Sequence, residues 1–202
     1  AHHRVSEAVV FFEELKRKWG VAPTRANYQR LIEALRKANR MQMALRYFRE
    51  LEQLGDVSAE TVVPLIIQLC RSNLVEEALQ LYEKYHEKEQ NQRRLLSLLA
   101  MACGRVHKGA LMVPLYEAWK KRGNTPDFAL LNTLIDCCAK SRLPEQAQTL
   151  FVEITSLKFE PTEATLSLMM KAYGPKRLRT ALQYYTAAKE TGLATTNTFT
   201  LA

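Results

Sequence analysis

Six aromatic residues, Phe12, Phe48, Tyr82, Tyr116, Phe151 and Tyr185, follow one another at intervals of 36, 34, 34, 35 and 34. A chain that repeats itself at this period is built from stacked supersecondary units, because one such unit cannot bury its apolar face alone. Four residues before each aromatic lies Ala8, Ala44, Ala78, Met112, Ala147 or Ala181. An i, i+4 pair shares one helical face, so each pair is expected to pack against a neighbouring helix. A second column runs Leu31, Ile66, Leu99, Leu134 and Met169, each followed by Ile32, Ile67, Ala100, Ile135 or Met170. Strand-like alternation is missing throughout, which makes the expected class all-α.

The clearest unit is Phe128–Thr162, in which two helical patterns meet at Ser141-Arg142-Leu143 and a Phe-Glu-Pro-Thr turn closes the unit. Pro144 suits the first turn of its second helix. In the same frame the chain divides into a partial unit 1–24, full units 25–59, 60–92, 93–127, 128–162 and 163–196, and a partial unit 197–202, all in one domain. Residues 1–24 read as the second helix of a unit, and Trp19-Gly20-Val21-Ala22-Pro23-Thr24 ends it with a glycine and a proline. Gly55 and Gly192 are expected stops, and Gly174-Pro175 an expected turn. Pro64 is expected in the first turn of a helix, where a missing N–H costs little. Pro114 falls well inside a helical pattern and predicts a local distortion or a late start. The chain opens Ala1-His2-His3 without Met, as a processed chain or a fragment would, and helical patterning from Val5 leaves no expected leader.

Lys and Arg number 29 against 21 Asp and Glu, a net charge of +8, which favours polyanionic partners such as nucleic acid. Every apolar run falls short of the roughly 18 residues that a membrane span requires. Cys70, Cys103 and Cys138 share a column with Leu35 and Tyr173, where cysteine acts as a small buried hydrophobe. Cys137 beside Cys138 lacks the spacing of a zinc site. Gly104 to Gly109 has a P-loop-like interval, but Ala110-Leu111 follows where Lys-Ser/Thr is required, and the stretch reads as a turn between helices. His86 and His107 have no nucleophile pattern beside them, and the acid pairs Glu13-Glu14 and Glu76-Glu77 read as solvated faces. The expectation is a non-enzyme with no cofactor, no metal and no small-molecule substrate.

A helix–turn–helix unit of about 35 residues, closing as Gly123-Asn124-Thr125-Pro126-Asp127 and opening as Leu130-Leu131-Asn132-Thr133-Leu134-Ile135, resembles the pentatricopeptide repeat. The resemblance covers essentially the whole chain. The Trp-x-x-Leu-Gly-x-x-Tyr pattern of the tetratricopeptide repeat is absent. The resemblance implies a right-handed α-solenoid of about five full repeats plus partial ends, and an organellar protein of mitochondrion or chloroplast. The implied partner is single-stranded RNA, for processing, stability, splicing or translation. Two alternatives accompany it. One is a scaffold subunit of an organellar ribonucleoprotein such as the mitochondrial ribosome. The other is the RNA-binding arm of a longer enzyme.

In that family the fifth residue of a unit and its last residue read about one base. Carried over, the pairs are Gln29 with Ala59, Pro64 with Gln92, Ser97 with Asp127, Asn132 with Thr162 and Ser167 with Thr196. Ser97 with Asp127 resembles a guanine combination, and Asn132 with Thr162 a loosely pyrimidine-like one. Ala26, Thr61, Arg94, Ala129 and Ala164 hold the base-packing place, where the family commonly has Val or Ile. Pro64 and Ala59 carry no polar group, so two or three units keep a reading pair. Lys37, Arg105 and Lys140 fall at the thirteenth residue of their units, with Arg71 one residue early and Lys176 nearby in the fifth. Such a column can track a phosphate backbone, or it can simply answer the helix dipole.

Overall fold

The computed structural model describes residues 2–20, 22–55, 57–86 and 92–174, together with 179, 180, 183 and 186. Among them there are ten α-helices and no strand. The helices are α1 (His2–Arg17), α2 (Arg25–Lys37), α3 (Met41–Gln53), α4 (Ala59–Arg71), α5 (Val75–Tyr85), α6 (Gln92–Arg105), α7 (Met112–Lys121), α8 (Phe128–Lys140), α9 (Pro144–Ser156) and α10 (Glu163–Tyr173). The chain forms two compact units, Ala1–Gln90 and Asn91–Ala202. Gly192, Pro175, Tyr185, Ala181 and the partial unit 197–202 lie outside the described residues.

Each hairpin turns by one device. The residue after the helix cap adopts a left-handed conformation: Asn39 (φ 56°), Asn73 (59°), His107 (58°) and Arg142 (54°). The next amide then reaches back five residues, from Arg40 to the Leu35 carbonyl, Leu74 to Leu69, Lys108 to Cys103 and Leu143 to Cys138, at 2.9–3.0 Å. This satisfies carbonyls that the helix end would otherwise orphan. The start of α2 is closed by Thr24, whose hydroxyl and backbone N–H exchange hydrogen bonds with Asn27. Thr162 and Thr165 do the same at α10, while Asp127 accepts from the Leu130 N–H at 2.8 Å at α8.

In the first unit the core is Tyr28, Leu31, Ile32 and Leu35 of α2, Leu45, Tyr47, Phe48 and Leu51 of α3, and Val62, Leu65, Ile66 and Leu69 of α4. In the second, Leu96, Leu99, Leu131, Leu134, Ile135, Trp119, Ile154 and Met169 do the same work. Of the aromatic column, Phe12, Phe48, Tyr82 and Tyr116 are buried and Phe151 is half-buried. Ala8 is exposed on α1, against the expectation that its column packs inward. All four cysteines are buried, and burial raises the Cys138 pKa to about 11 and that of Cys137 further.

Three expectations change. Pro64 lies at the sixth residue of α4 rather than in its first turn, because the helix starts at Ala59. The ring therefore removes a bond to the Glu60 carbonyl, a residue that is exposed to water. Gly104 lies inside α6 and is buried, and only Gly109 begins a turn. A β-carbon at Gly104 would meet Cys137 Cα at 3.2 Å, and one at Gly109 would meet Ser141 Oγ at 2.6 Å. Gly104 lets α6 approach α8, and Gly109 lets the 3-10 turn approach Ser141. Glu13 is no plain solvated acid, since it accepts from the hydroxyl of buried Tyr47 at 2.7 Å. Pro114 behaves as expected: a 3-10 turn Gly109–Leu111 precedes α7, which starts late enough to place the proline third.

Candidate nucleic-acid interface

Counting each unit back from the last residue of its first helix puts the described site positions on one register. The last residue of α2 is Lys37, of α4 Arg71, of α6 Arg105 and of α8 Lys140. Arg71 is thus in line with the others; it looked early only because the second unit was framed from Glu60 while α4 starts at Ala59. The same slip moves the fifth place of that unit from Pro64 to Val63, and the second from Thr61 to Glu60. It also makes Ser58, the residue before α4, the partner place of Gln29 instead of Ala59. With that register, Ala26, Glu60, Arg94, Ala129 and Ala164 are exposed, whereas Gln29, Ser97, Asn132 and Ser167 are half-buried beside them.

In the first unit, Gln29 Nε2 stands 3.5 Å from Ser58 Oγ, which lies 3.4 Å from Thr61 Oγ1. Both separations are long, so the Gln29 amide is loosely held. An open groove of about 460 Å³ runs between α2 and α4, lined by Ala26, Gln29, Arg30, Glu33, Arg36, Glu60, Thr61 and Pro64. Lys37 pairs with Glu33 at 2.7 Å, and that bond holds the Glu33 carboxyl below its usual range. Exposed pairs of this kind contribute little to stability.

In the second unit, Asp127 uses both oxygens. One caps Leu130, and the other accepts from Arg93 at 2.7 Å. Partial burial works to raise the Asp127 pKa, but the Leu130 N–H and the Arg93 guanidinium overcome it and keep the carboxyl low. Ser97 turns its hydroxyl back to the Arg93 carbonyl at 3.1 Å. Asn132 Oδ1 accepts from Thr165 Oγ1 at 2.8 Å, and Thr165 in turn meets Thr162 at 3.1 Å between hydroxyls. Lys140 pairs with Asp136 one helical turn back. Thr196 and Lys176 lie outside the described residues, so Ser167 is described without its partner.

Sequence reasoning missed Ser58, Arg93 and Thr165. Ser58 was legible as a serine at a helix boundary ahead of an apolar run, although its side chain makes no cap bond, and Thr162-x-x-Thr165 as a variant of the capping box. Arg93 carried no signal of its own, because its partner lies 34 residues away.

A family model described as PPR repeat matches residues 27–56, 61–89 and 130–159. Among solved structures, the chain is similar to the pentatricopeptide repeat protein PPR10 from maize, with 25% identity, a TM-score of 0.68, and coverage of 94% of this chain and 27% of that one. PPR10 in complex with an 18-nucleotide psaJ RNA element aligns at 20% identity and a TM-score of 0.59, over 94% of this chain and 28% of that one. The nuclear proteinaceous RNase P 2 of A. thaliana aligns at 11% identity and 0.66, over 89% of this chain and 41% of that one. No curated protein matches. The chain thus spans about a quarter of PPR10, and the fold it shares is an all-α helical-repeat solenoid.

Proposed function

We propose that this chain, which belongs to the pentatricopeptide-repeat family, binds single-stranded RNA through the first helices of its repeats. The observation that carries the reading is the recurrent register. In both compact units a first helix carries an exposed second residue and a half-buried polar fifth residue, and a cation ends the helix. Gln29, Ser97, Asn132 and Ser167 offer hydrogen bonds to bases, with Ser58, Asp127, Thr162 and Thr196 as their partners. Lys37, Arg71, Arg105, Lys140 and Lys176 meet phosphates. Catalysis is not part of this role; the segment holds an RNA for processing, stabilisation, splicing or translation. PPR10 in complex with RNA supports the partner, and the family supports a mitochondrial or chloroplast setting.

A second reading, a scaffold within a ribonucleoprotein, draws on Asp127, whose carboxylate is already taken up by Arg93 and the α8 cap. The third, an RNA-binding arm of a longer enzyme, draws on the likeness to an RNase P protein; the mass of the native protein tests it. Fluorescence anisotropy with a random single-stranded RNA pool across a salt series tests the first. The parent should bind with a clear salt slope, and reversing Lys37, Arg71, Arg105 and Lys140 to Glu should flatten that slope by roughly 3, at about 0.7 per phosphate contact. Absence of binding near physiological salt overturns the autonomous reading in favour of the scaffold. Import of the native precursor into isolated mitochondria or chloroplasts tests the location.

A further inference from the structure

Thr165 is the only polar residue that is fully buried among the described residues, at 0% exposure. It occupies the third place of its unit, where the two preceding units carry buried Leu95 and Leu130. A hydroxyl in an apolar contact between α8 and α10 is costly unless its hydrogen bonds are made. They are made, and three of them join Thr162, Thr165 and Asn132. The Thr162 N–H donates to Thr165 Oγ1 at 3.3 Å, the Thr165 N–H donates to Thr162 Oγ1 at 3.3 Å, and Thr165 Oγ1 donates to Asn132 Oδ1 at 2.8 Å.

A hydroxyl has one proton. Once Thr165 gives its proton to Asn132, the 3.1 Å contact between the two threonine hydroxyls requires Thr162 to be the donor. The relay then has a direction: Thr162 to Thr165 to Asn132. At its far end the Asn132 oxygen is committed inward, so the amide offers its two N–H donors to a ligand. At its near end Thr162 has spent its proton and offers a lone pair.

We propose that Thr165 is a positioning residue for base discrimination. It fixes the polarity of the Asn132/Thr162 pair, so that Asn132 acts as donor and Thr162 as acceptor toward a nucleobase edge. This rests on the reading that the pair meets a base. Cytosine and uracil exchange donor and acceptor roles at ring position 3 and at the adjoining exocyclic group, so a pair of fixed polarity tells them apart. An amide free to turn over accommodates both. The neighbouring pair Ser97/Asp127 has Leu130 in the equivalent place and lacks this control.

The test compares parent, Thr165→Val, which keeps the shape without the hydroxyl, and Thr165→Ser, which keeps the hydroxyl. The probes are single-stranded RNAs drawn from a selection on the parent and varied at each single nucleotide. The parent should prefer one pyrimidine over the other at one nucleotide by roughly fivefold, the worth of one net hydrogen bond. Thr165→Val should bring that ratio near one while leaving the ratios at other nucleotides unchanged, and Thr165→Ser should restore it. A ratio that survives in Thr165→Val overturns the proposal. A parent that binds RNA poorly overturns the underlying reading instead, and NMR then decides the positioning role alone. The side-chain amide of Asn132 should be ordered in the parent and Thr165→Ser and lose order in Thr165→Val; unchanged order in Thr165→Val overturns the role.

Discussion

In Ala1–Gln90, the carboxylates that accept from the buried tyrosines of α3 and α5 sit on the earlier second helix; in Asn91–Ala202 the one that accepts from the buried tyrosine of α7 sits on the later one, α9. Glu13 of α1 accepts from Tyr47 at 2.7 Å and pairs with Arg46, and Glu52 of α3 accepts from Tyr85 at 2.6 Å and pairs with Lys84. In the second unit Glu153 of α9 accepts from Tyr116 of α7 at 3.0 Å and pairs with Lys120. In all three groups the cation also lies over the tyrosine ring, at 5.5, 5.4 and 4.9 Å. The steps α1 to α3, α3 to α5 and α7 to α9 thus each carry an acid, a phenol and a cation, but not in a fixed order. Swapping donor and acceptor between neighbours preserves the bond, so drift in sequence is absorbed as long as the partners change together.

The turns differ in the same spirit. The first unit uses Asn39 and Asn73, which tolerate the left-handed region, and Asn39 Oδ1 also accepts from Ser72 at 2.8 Å and Gln68 at 3.3 Å. The second uses His107 and Arg142, which gain less from that conformation. There the neighbouring turns are tied by His107 Nδ1, which donates to the Lys140 carbonyl at 2.6 Å, and by the Gly109 N–H, which donates to Ser141 Oγ at 2.8 Å. One side-chain acceptor in the first unit is replaced by a close backbone approach in the second.

The largest effect should come from Glu153→Ala, which strands the buried Tyr116 hydroxyl and leaves Lys120 with Glu117 alone. A loss of about 3 kcal/mol is expected, as for hydrogen bonds to charged groups. Denaturation followed by Trp119 fluorescence reads it, since Trp119 is buried in the second unit and the chain's other tryptophan, Trp19, is 60% exposed in the first. Restoring the pair in the order of the first unit would sharpen the point, and a loss that equals the Glu13→Ala loss would show that order is immaterial. Gly109→Ala should cost about 2 kcal/mol through overpacking against Ser141. Ser141→Gly in the same chain should recover part of it. Asn39→Ala should cost roughly 1 kcal/mol, from lost hydrogen bonds and the left-handed backbone, whereas Arg142→Gly should stabilise by up to about 1 kcal/mol. A gain from Asn39→Gly as large as that from Arg142→Gly would break the comparison.

Acid and alkaline titrations give the smallest effects. Tyr47 and Tyr116 are raised above the ordinary 10.0, first by burial and then by their acid partners. A raised tyrosine favours the neutral form in the folded state. Its contribution is therefore complete below pH 10 and is lost progressively above it, as the unfolded phenols ionise. Asp127 is held below its ordinary 3.8, so its contribution is complete above that value and is lost as pH falls below it. Urea midpoints across pH should accordingly fall at both extremes, with Tyr116→Phe shallower than the parent on the alkaline side and Asp127→Asn shallower on the acid side.

Much of the fold was readable because its signals are local. Capping residues, helical periodicity and turn glycines act within one turn of helix, so the placement of α2, α3, α8 and α9 follows from residues close in sequence. The slip at α4 has a physical cause as well. Val62, Leu65, Ile66, Leu69 and Cys70 are all buried, and the run Ile66-Ile67 fits the apolar column in two frames. Only the start at Ala59 decides between them. The site was readable in its columns and unreadable in its bonds. Gln29, Asn132 and Lys140 stood at the right spacing, but Arg93 on Asp127 and Thr165 on Asn132 join residues 34 and 33 apart.

By itself, then, the sequence determined the period, the helical hairpins, the buried columns and the line of cations, since each depends on a residue's own propensity or on neighbours within a few positions. The tertiary structure alone decided which acid serves which tyrosine, where glycine admits a neighbouring helix, and which way the Asn132 amide faces. Those choices depend on side chains about one repeat apart that meet only after the helices stack, where a buried polar atom has to find a partner and a single hydroxyl proton can point in only one direction.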